Sequence, residues 1–254
     1  MITVADVSKS FRLSREQRRE QRRTPAEGVN AVENVSMVCR PGRVFSLLGP
    51  NGAGKTTMLR MIATLLKPCS GAISVAGYDT VREARQVRGR IGFLSGSTGL
   101  YERLTPTEIL DYYGELHGMD RHALRKRRDG IFDVLGIHEF ANRRIARLSS
   151  GMKQKVSIAR TIIHDPMVMV FDEPTVGLDV ITAKSIIDLI RGCRDQGKTV
   201  IFSTHIMGEV SLLSDDLAVI HRGKLLFNDT FERFTARMDS RSVEEEFIRL
   251  IAEA

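Results

Sequence analysis

GPNGAGKTT, residues Gly49 to Thr57, is the most informative segment of this chain. It fits the pattern GxxxxGK[ST], and it lies between the apolar run RVFSLL and the run MLRMIATLL. Glycines here let backbone N–H groups turn inward around phosphate oxygens, and the N-terminus of the next helix adds partial positive charge. The pattern predicts a nucleotide phosphate loop, in which Lys55 reaches the β and γ phosphates and the Thr56 hydroxyl holds Mg²⁺. The other predicted loop residues are Asn51, Gly52, Gly54 and Thr57.

Short apolar runs rich in β-branched residues alternate with helical patterns along the chain. Five of these runs begin at Arg43, Arg90, Met167, Lys198 and Asp216. Their apolarity is continuous rather than alternating, which is typical of strands buried on both faces of a sheet. We therefore expect an α/β fold with a mainly parallel sheet covered by helices.

A long helical segment separates the second of these runs from the third. It begins at TPTE, where we expect Thr105 as the N-cap, Pro106 in the first turn and Glu108 as the capping-box partner. It continues to a helix that begins near Ser149. The segment predicts a helical subdomain, at about residues 100–165, inserted into the α/β core.

Two adjacent carboxylates, Asp172 and Glu173, end the apolar run MVMVFDE. Adjacent residues of a strand point to opposite faces, so the two carboxylates are expected to do different work. We assign Asp172 to Mg²⁺, through a water molecule, and Glu173 to the attacking water as general base. The alternative is a pair of acids at a solvent-exposed strand end.

Two ring-bearing residues, His205 and Phe11, have both a structural and a functional interpretation. His205 closes the run TVIFSTH, and ligands of open parallel sheets collect at such carboxyl ends of strands. Its imidazole can hydrogen-bond both the γ-phosphate and the attacking water, although a lone histidine is more often structural. Phe11, in SKSFR, can stack on a nucleobase, although such a ring more often belongs to the core.

A second predicted anion-binding helix N-terminus lies in LSSGMKQKVSIAR. Ser149 or Ser150 can cap the helix, and Gly151 exposes backbone at its start. A single phosphate group does not need two anion-binding helix N-termini from one chain. The excess predicts two copies of the chain, each of which closes the other's site.

Length, charge and cysteine content restrict the class of protein. A chain of 254 residues forms one large domain, or one domain with an inserted subdomain. No apolar run approaches the roughly 18 residues that span a bilayer, and MITVADVSKS lacks a signal peptide's apolar core, so we expect a cytosolic protein. Three scattered cysteines favour neither a disulfide framework nor a zinc site.

The formal charge of +7 makes nucleic acid, or an anionic membrane surface, a partner to consider. Much of the surplus lies in RLSREQRREQRR, from Arg12 to Arg23, and in RHALRKRRD, from Arg121 to Asp129. The first run has one apolar residue, so we expect an exposed helix or a flexible loop. Such runs are commonly solvated faces without a specific partner.

In their order along the chain, these motifs resemble those of the nucleotide-binding subunit of ATP-binding cassette (ABC) transporters. GPNGAGKT matches the Walker A loop, VMVFDE matches Walker B, and LSSGM matches the signature LSGGQ with Ser150 and Met152 as departures. VGLD, which ends at Asp179, matches the D-loop, and His205 matches the switch histidine. Phe11 falls where the family stacks an aromatic ring on adenine. The likeness covers nearly the whole chain.

The resemblance implies a P-loop NTPase (ABC ATPase) core with a mainly parallel sheet, an N-terminal antiparallel β subdomain and the inserted helical subdomain. These parts are expected to form a single domain over residues 1–254, with a basic insert at 12–28. ATP and Mg²⁺ are the implied cofactors. The implied nucleotide-contacting set also includes Asp179.

The resemblance further implies a head-to-tail pair of nucleotide-binding subunits. Each ATP then lies between the Walker A loop of one subunit and Ser149, Gly151 and Met152 of the other. ATP closes the pair, hydrolysis opens it, and a separate integral membrane permease converts this motion into transport. The chain is therefore expected at the cytoplasmic face of the cell membrane, with no nucleic acid as partner.

One loop departs from the family pattern. The family has glutamine after the strand IGFLS, as a Mg²⁺ ligand and as the lever that senses the membrane subunit, and Gly96 stands at that position. Ser97, Thr98 or a water molecule can complete the coordination shell, since Mg²⁺ readily keeps waters. We expect this loop to keep a mechanical role but to coordinate the metal more weakly.

Within the family, the chain most resembles the ATPase subunits of bacterial sodium-extrusion (Nat-type) exporters. The likeness rests on this loop, the basic insert, and the segments RMIATLLKP, GLYERLT, SSGMKQK and VEEEFIRLI. Export is the expected direction, and sodium is the leading cargo. One rival is a nucleic-acid-associated ABC ATPase of repair or translation, but the chain lacks the coiled coil, zinc module or second cassette of those proteins. The other is a soluble P-loop kinase or nonhydrolytic switch, for which no acceptor pocket is indicated.

Overall fold

The computed structural model describes residues 1–12, 28–95 and 99–253. Among these residues, the strands are β1 (Ile2–Phe11), β2 (Val29–Cys39), β3 (Arg43–Leu48), β4 (Ser70–Val75), β5 (Tyr78–Asp79), β6 (Ile91–Ser95), β7 (Val168–Asp172), β8 (Thr199–Thr204), β9 (Asp216–His221) and β10 (Lys224–Thr230). The α-helices are α1 (Lys55–Ile62), α2 (Ala84–Arg88), α3 (Pro106–Leu116), α4 (Arg121–Leu135), α5 (Ser150–Ile162), α6 (Val180–Asp195), α7 (Met207–Leu213), α8 (Phe231–Ala236) and α9 (Val243–Ala252). Short 3₁₀ turns follow α4 at His138–Phe140 and Ile145–Arg147.

The smaller sheet is antiparallel and has the strand order β2-β1-β4-β5. In β1 the buried side chains are Ile2, Val4 and Val7, and a register shift between Val4 and Val7 changes their spacing from two residues to three. The end of β1 pairs Phe11 with Val29 of β2. This sheet confirms the expected N-terminal antiparallel β structure.

The larger sheet has the strand order β10-β9-β3-β8-β7-β6, and its neighbouring strands are parallel except for the β9–β10 pair. All five predicted apolar runs form strands of this sheet. Because β8 lies between β3 and β7 and is parallel to both, the carboxyl ends of these three strands lie at one edge of the sheet. The residues that follow these three strands are therefore brought together.

The segment between β6 and β7 contains α3, α4 and α5. At the start of α3, the Thr105 hydroxyl accepts a hydrogen bond from the Glu108 backbone N–H, and the Thr105 N–H donates to the Glu108 carboxylate, as the capping box predicts. Pro106 occupies the first turn, where its missing N–H costs nothing. Ser149 is the N-cap of α5.

Apolar clusters cover both faces of the larger sheet. Along β7, Val168 and Val170 pack with α1 and the smaller sheet, whereas Met169 and Phe171 pack with residues of α3 to α6. This alternation confirms that the strand is buried on both sides. In the described parts of the chain, no helix is both long enough and apolar enough to cross a membrane.

Some predictions concern residues that the structure does not describe. The basic insert beyond Arg12, up to residue 27, is one of them. The replacement of the family glutamine by Gly96, with Ser97 or Thr98 nearby, is the other. Both lie outside the described residues and stay predictions.

Candidate functional site

The predicted phosphate loop connects β3 to α1 and rests against β2. Gly54, the N-cap of α1, has φ 110°, a region that L side chains rarely adopt. A Cβ at this position would lie 2.2 Å from the Ala31 carbonyl oxygen. Only glycine therefore lets the loop approach β2 this closely while the first turn of α1 forms.

Lys55 is buried at the start of α1, and its ammonium group has three oxygen partners. Nζ donates to the carbonyl oxygens of Gly49 (2.7 Å) and Pro50 (3.1 Å). It also lies 3.2 Å from Oε1 of Glu173. A buried ammonium needs such compensation, so this lysine is held within the loop whose own carbonyl groups it binds.

Asp172 ends β7 and accepts hydrogen bonds from two hydroxyl groups at Oδ1. The Thr56 hydroxyl donates over 3.0 Å, and the Ser203 hydroxyl of β8 donates over 2.8 Å. Hydroxyl and carboxylate oxygens are the ligand types that Mg²⁺ takes from proteins, usually together with waters and phosphates. Among the described residues, no cluster of three or more His, Cys, Asp or Glu side chains suited to a metal occurs. This donor set fits Mg²⁺.

Glu173 follows the strand in a left-handed conformation, with φ 48°. Its N–H donates to the Ser203 hydroxyl (3.1 Å) and backbone carbonyl (3.2 Å). The carboxylate meets Lys55 at 3.2 Å and Nδ1 of His205 at 3.3 Å. Asp172 and Glu173 thus have different partners. Because β7 ends at Asp172, the alternation of an extended strand does not continue to Glu173. The left-handed turn at Glu173 separates the two carboxylates instead.

Opposing effects set the acidity of Glu173. Burial alone would raise the pKa of its carboxyl group, since burial disfavours the charged form. Hydrogen bonds from Lys55 and His205, and their charges, outweigh burial and lower the pKa below its ordinary value. The Glu173 carboxylate is therefore ionised at neutral pH.

The end of β8 contains polar residues that the sequence analysis did not single out. The Thr204 hydroxyl donates to Oε2 of the buried Glu209 over 2.6 Å, and the Thr175 hydroxyl donates to the other carboxylate oxygen of Glu209. These bonds link the turn after Glu173 to the segment that carries His205. The adjacent hydroxyl residues of TVIFSTH were the available signal for Ser203 and Thr204.

A cavity of about 270 Å³ lies over the phosphate loop. It is lined by Val29, Asn30, Ala31, Asn51, Gly52, Ala53, Gly54, Lys55, Thr56, Thr57 and Glu173. Phe11 does not line it, but its strand partner Val29 does, and the Phe11 ring is 39% exposed. The ring also has Lys9 Nζ 5.4 Å from its centroid.

Four of the predicted nucleotide-contacting residues form a second group away from this cavity. Ser149 Oγ accepts a hydrogen bond from the Met152 N–H (3.3 Å), and Asp179 caps α6. A Cβ on Gly151 would lie 3.2 Å from the Thr182 hydroxyl and 3.8 Å from the Asp179 carboxylate, so the two helix starts adjoin. Among the described residues, none of these four lines the phosphate-loop cavity.

The comparisons with known proteins agree with this geometry. The family model described as "ABC transporter" matches residues 32–176, which include the phosphate loop, α5 and β7. The chain belongs to the ABC transporter family. It is an ATPase of that family.

Two curated relatives and one solved structure illustrate the relationship. The chain is 43% identical to the ABC transporter ATP-binding protein NatA of Bacillus subtilis (strain 168), over 91% of this chain and 90% of NatA. It is 32% identical to the linearmycin resistance ATP-binding protein LnrL of the same organism, over 88% of this chain and 72% of LnrL. A dimeric ATP-binding cassette, solved in a post-hydrolysis state with ADP and Pi, superposes with a TM-score of 0.79 at 26% identity, over 91% of this chain and 98% of that one. None of these matches favours the nucleic-acid alternative.

Proposed function

We propose that this ABC ATPase powers export through a separate integral membrane permease, at the cytoplasmic face of the cell membrane. The observation that carries the hydrolytic part of the proposal is the position of the Glu173 carboxylate beside the phosphate loop, within reach of both Lys55 and His205. The similarity to NatA supports the transport assignment. We further propose that residues 1–254 act as one domain, with 100–165 as its helical subdomain and 12–28 as a basic insert.

ATP and Mg²⁺ are the proposed cofactors. Residues Asn51, Gly52, Gly54, Lys55, Thr56 and Thr57 would hold the phosphates, because they line the cavity at the N-terminus of α1. Thr56 and Asp172 would hold Mg²⁺, since their side-chain oxygens already meet at 3.0 Å. When bound, Mg²⁺ neutralises charge on the phosphates.

The catalytic roles are proposed for Glu173, His205 and Lys55. Glu173 is ionised and can accept a proton from an attacking water molecule. His205 lies 3.3 Å from this carboxylate and would orient it and contact the γ-phosphate. Lys55 would stabilise charge on the β and γ phosphates.

A second copy of the chain is the proposed completion of the site. Ser149, Gly151 and Met152 lie on a helix start that does not line this chain's own cavity, which suits contact with the nucleotide of a partner. Asp179 would act beside them at the same interface. The dimeric cassette with ADP and Pi supports such a pair. Phe11, beside the cavity and partly exposed, would stack on the adenine ring.

Sodium is the cargo that we propose, on the strength of the resemblance to Nat-type exporters and of the 43% identity to NatA. The name of LnrL points to drug resistance in that relative, so an antibiotic-like compound is the competing cargo. The membrane subunit chooses between them, because it lines the path that the cargo takes.

Copurification tests the assembly. The tagged chain is expressed in its native cell, membranes are solubilised in mild detergent with Mg²⁺ and ATP, and copurifying proteins are identified by mass spectrometry. We expect a polytopic membrane protein without a cassette of its own. Recovery of ribosomes or DNA, with hydrolysis stimulated by nucleic acid in a salt-sensitive manner, would instead support the nucleic-acid alternative.

Flux measurements test the cargo. The purified complex is reconstituted in vesicles, and ATP-driven sodium movement is compared between the native chain and the Glu173→Gln variant. Sodium flux that stops in the variant supports the proposal. Flux of a drug without flux of sodium would support the export function but exclude sodium as the cargo.

A further inference from the structure

A groove of about 810 Å³ lies between α4 and α6, apart from the phosphate loop. It is lined by α4 residues from Ala123 to Leu135 and by α6 residues from Ser185 to Cys193, so each helix contributes at least two turns. Among the described residues, none lines both this groove and the phosphate-loop cavity. Its volume falls within the roughly 300–1,000 Å³ of small-molecule sites.

The floor of this groove is apolar. Ile131, Leu135 and Cys193 are buried there, and burial raises the pKa of the Cys193 thiol, which therefore stays neutral. Val134 also lines the groove, and its side chain is 78% exposed. A large aliphatic side chain on the wall of an open groove leaves apolar area that a ligand can bury.

Two helix-interior glycines widen the groove. Gly130 of α4 and Gly192 of α6 both line it, and a Cβ at either position would meet no atom within 4 Å. Glycine is unfavourable inside a helix, second only to proline. Packing within the described chain therefore gives no reason for glycine at these positions, and both glycines leave more open space in the groove than a larger residue would.

Positive charge is concentrated at one end of the groove. The charged lining residues are Lys126, Arg127, Lys198 and Asp188. Arg127 Nη2 and Lys198 Nζ share Oδ1 of Asp165, at 2.8 and 2.5 Å, so one carboxylate faces two cations. Arg127 Nε is buried and has no hydrogen-bond partner among the described residues. This end therefore has an excess of cationic donors.

We propose that the groove binds a single long-chain carboxylate. The carboxylate group lies at the cationic end with Arg127, Lys126 and Lys198, and the alkyl chain runs along Ile131 and Val134. Val134 follows Arg127 by seven residues on α4, which is about 10 Å along a helix axis. The cations gather at one end and the apolar side chains continue from it, which matches one charged head group and one tail.

Calorimetric titration of the full-length chain with dodecanoate, below its critical micelle concentration, tests this proposal. We expect saturable binding at one site per chain. Decanoate should bind about tenfold more weakly, because each buried methylene contributes about three- to fourfold in affinity. Dodecyltrimethylammonium, with the same alkyl chain and a cationic head group, should show no saturable binding.

Variants locate the site. Gly130→Leu should weaken dodecanoate binding at least tenfold, because the new side chain fills the groove, and the helix should persist because leucine favours it. Gly192→Leu provides the same test from α6. Lys126→Glu should weaken binding severalfold, whereas Arg125→Glu should not. Arg125 is the matched control, since it is exposed on the same helix and does not line the groove.

Three results would overturn the proposal. The first is the absence of saturable dodecanoate binding. If an acidic amphipathic peptide binds instead, the groove is a site for a protein partner. The second is unchanged affinity in both Gly130→Leu and Gly192→Leu while circular dichroism shows native folding. The third is equal weakening by Lys126→Glu and Arg125→Glu, which would attribute binding to general surface charge.

Discussion

Acidification should destabilise this chain through His164. Its ring stacks on that of His117, with centroids 3.7 Å apart and planes 4° from parallel. Nε2 donates to the Ile91 carbonyl oxygen over 3.2 Å, and Nδ1 is buried without a hydrogen-bond partner among the described residues. Burial first, and then the charge of His117, lower the pKa of His164 to about 4 from 6.5, although the Ile91 carbonyl group opposes them.

The size of the effect follows from linkage. A pKa lowered by folding means that the unfolded chain binds the proton more readily, so stability is full above pH 6.5 and is lost as the pH falls towards 4. At about 1.4 kcal/mol per pH unit, this interval limits the loss to about 3 kcal/mol. His164 keeps partial access to solvent, so we expect about 1–2 kcal/mol at pH 5.0.

Urea unfolding followed by circular dichroism at pH 7.5 and 5.0 measures this loss. His164→Phe keeps a flat ring but cannot take up the proton. Between pH 7.5 and pH 5.0, the free energy of unfolding of this variant should therefore decrease by about 1–2 kcal/mol less than that of the native chain. His122→Phe is the matched control, because His122 is exposed, and it should behave as the native chain does. Equal losses in the native chain and in His164→Phe would refute the reasoning.

Three further predictions concern the phosphate-loop site. Glu173→Gln should lower phosphate release by about 10²–10⁴-fold while ATP binding survives, because a positioned base contributes that much. Glu139→Gln, on the exposed surface, should change neither quantity. Unimpaired phosphate release in Glu173→Gln would exclude Glu173 as the base. Gly54→Ala should abolish binding of a fluorescent ATP analogue, since its Cβ would lie 2.2 Å from the Ala31 carbonyl oxygen; wild-type affinity would mean that the loop can move away from β2. Thr56→Val should raise the Mg²⁺ concentration needed for half-maximal hydrolysis several-fold, because it removes a hydroxyl ligand, and an unchanged Mg²⁺ requirement would remove that role from Thr56.

Local motifs and strand order explain how much of the site the sequence predicts. The phosphate loop is contiguous with its strand and helix, so one segment specified Lys55 and Thr56 together. Parallel strands then bring Asp172 to Thr56, as the buried apolar runs imply. The bond from Ser203 to Asp172 was missed, because it depends on β8 lying beside β7, and strand order is not written in any one segment.

The ion pair between Lys55 and Glu173 could not be predicted from the sequence alone, and it affects the basicity of Glu173 in the proposed mechanism. In the described chain the ammonium group binds the carboxylate at 3.2 Å, which helps to lower the pKa of Glu173 and so weakens it as a base. Nucleotide phosphates would compete for the same ammonium group. If Lys55 turned to the phosphates, the Glu173 carboxylate would lose one of the two partners that lower its pKa, so we expect the proposed base to be stronger when a nucleotide is bound.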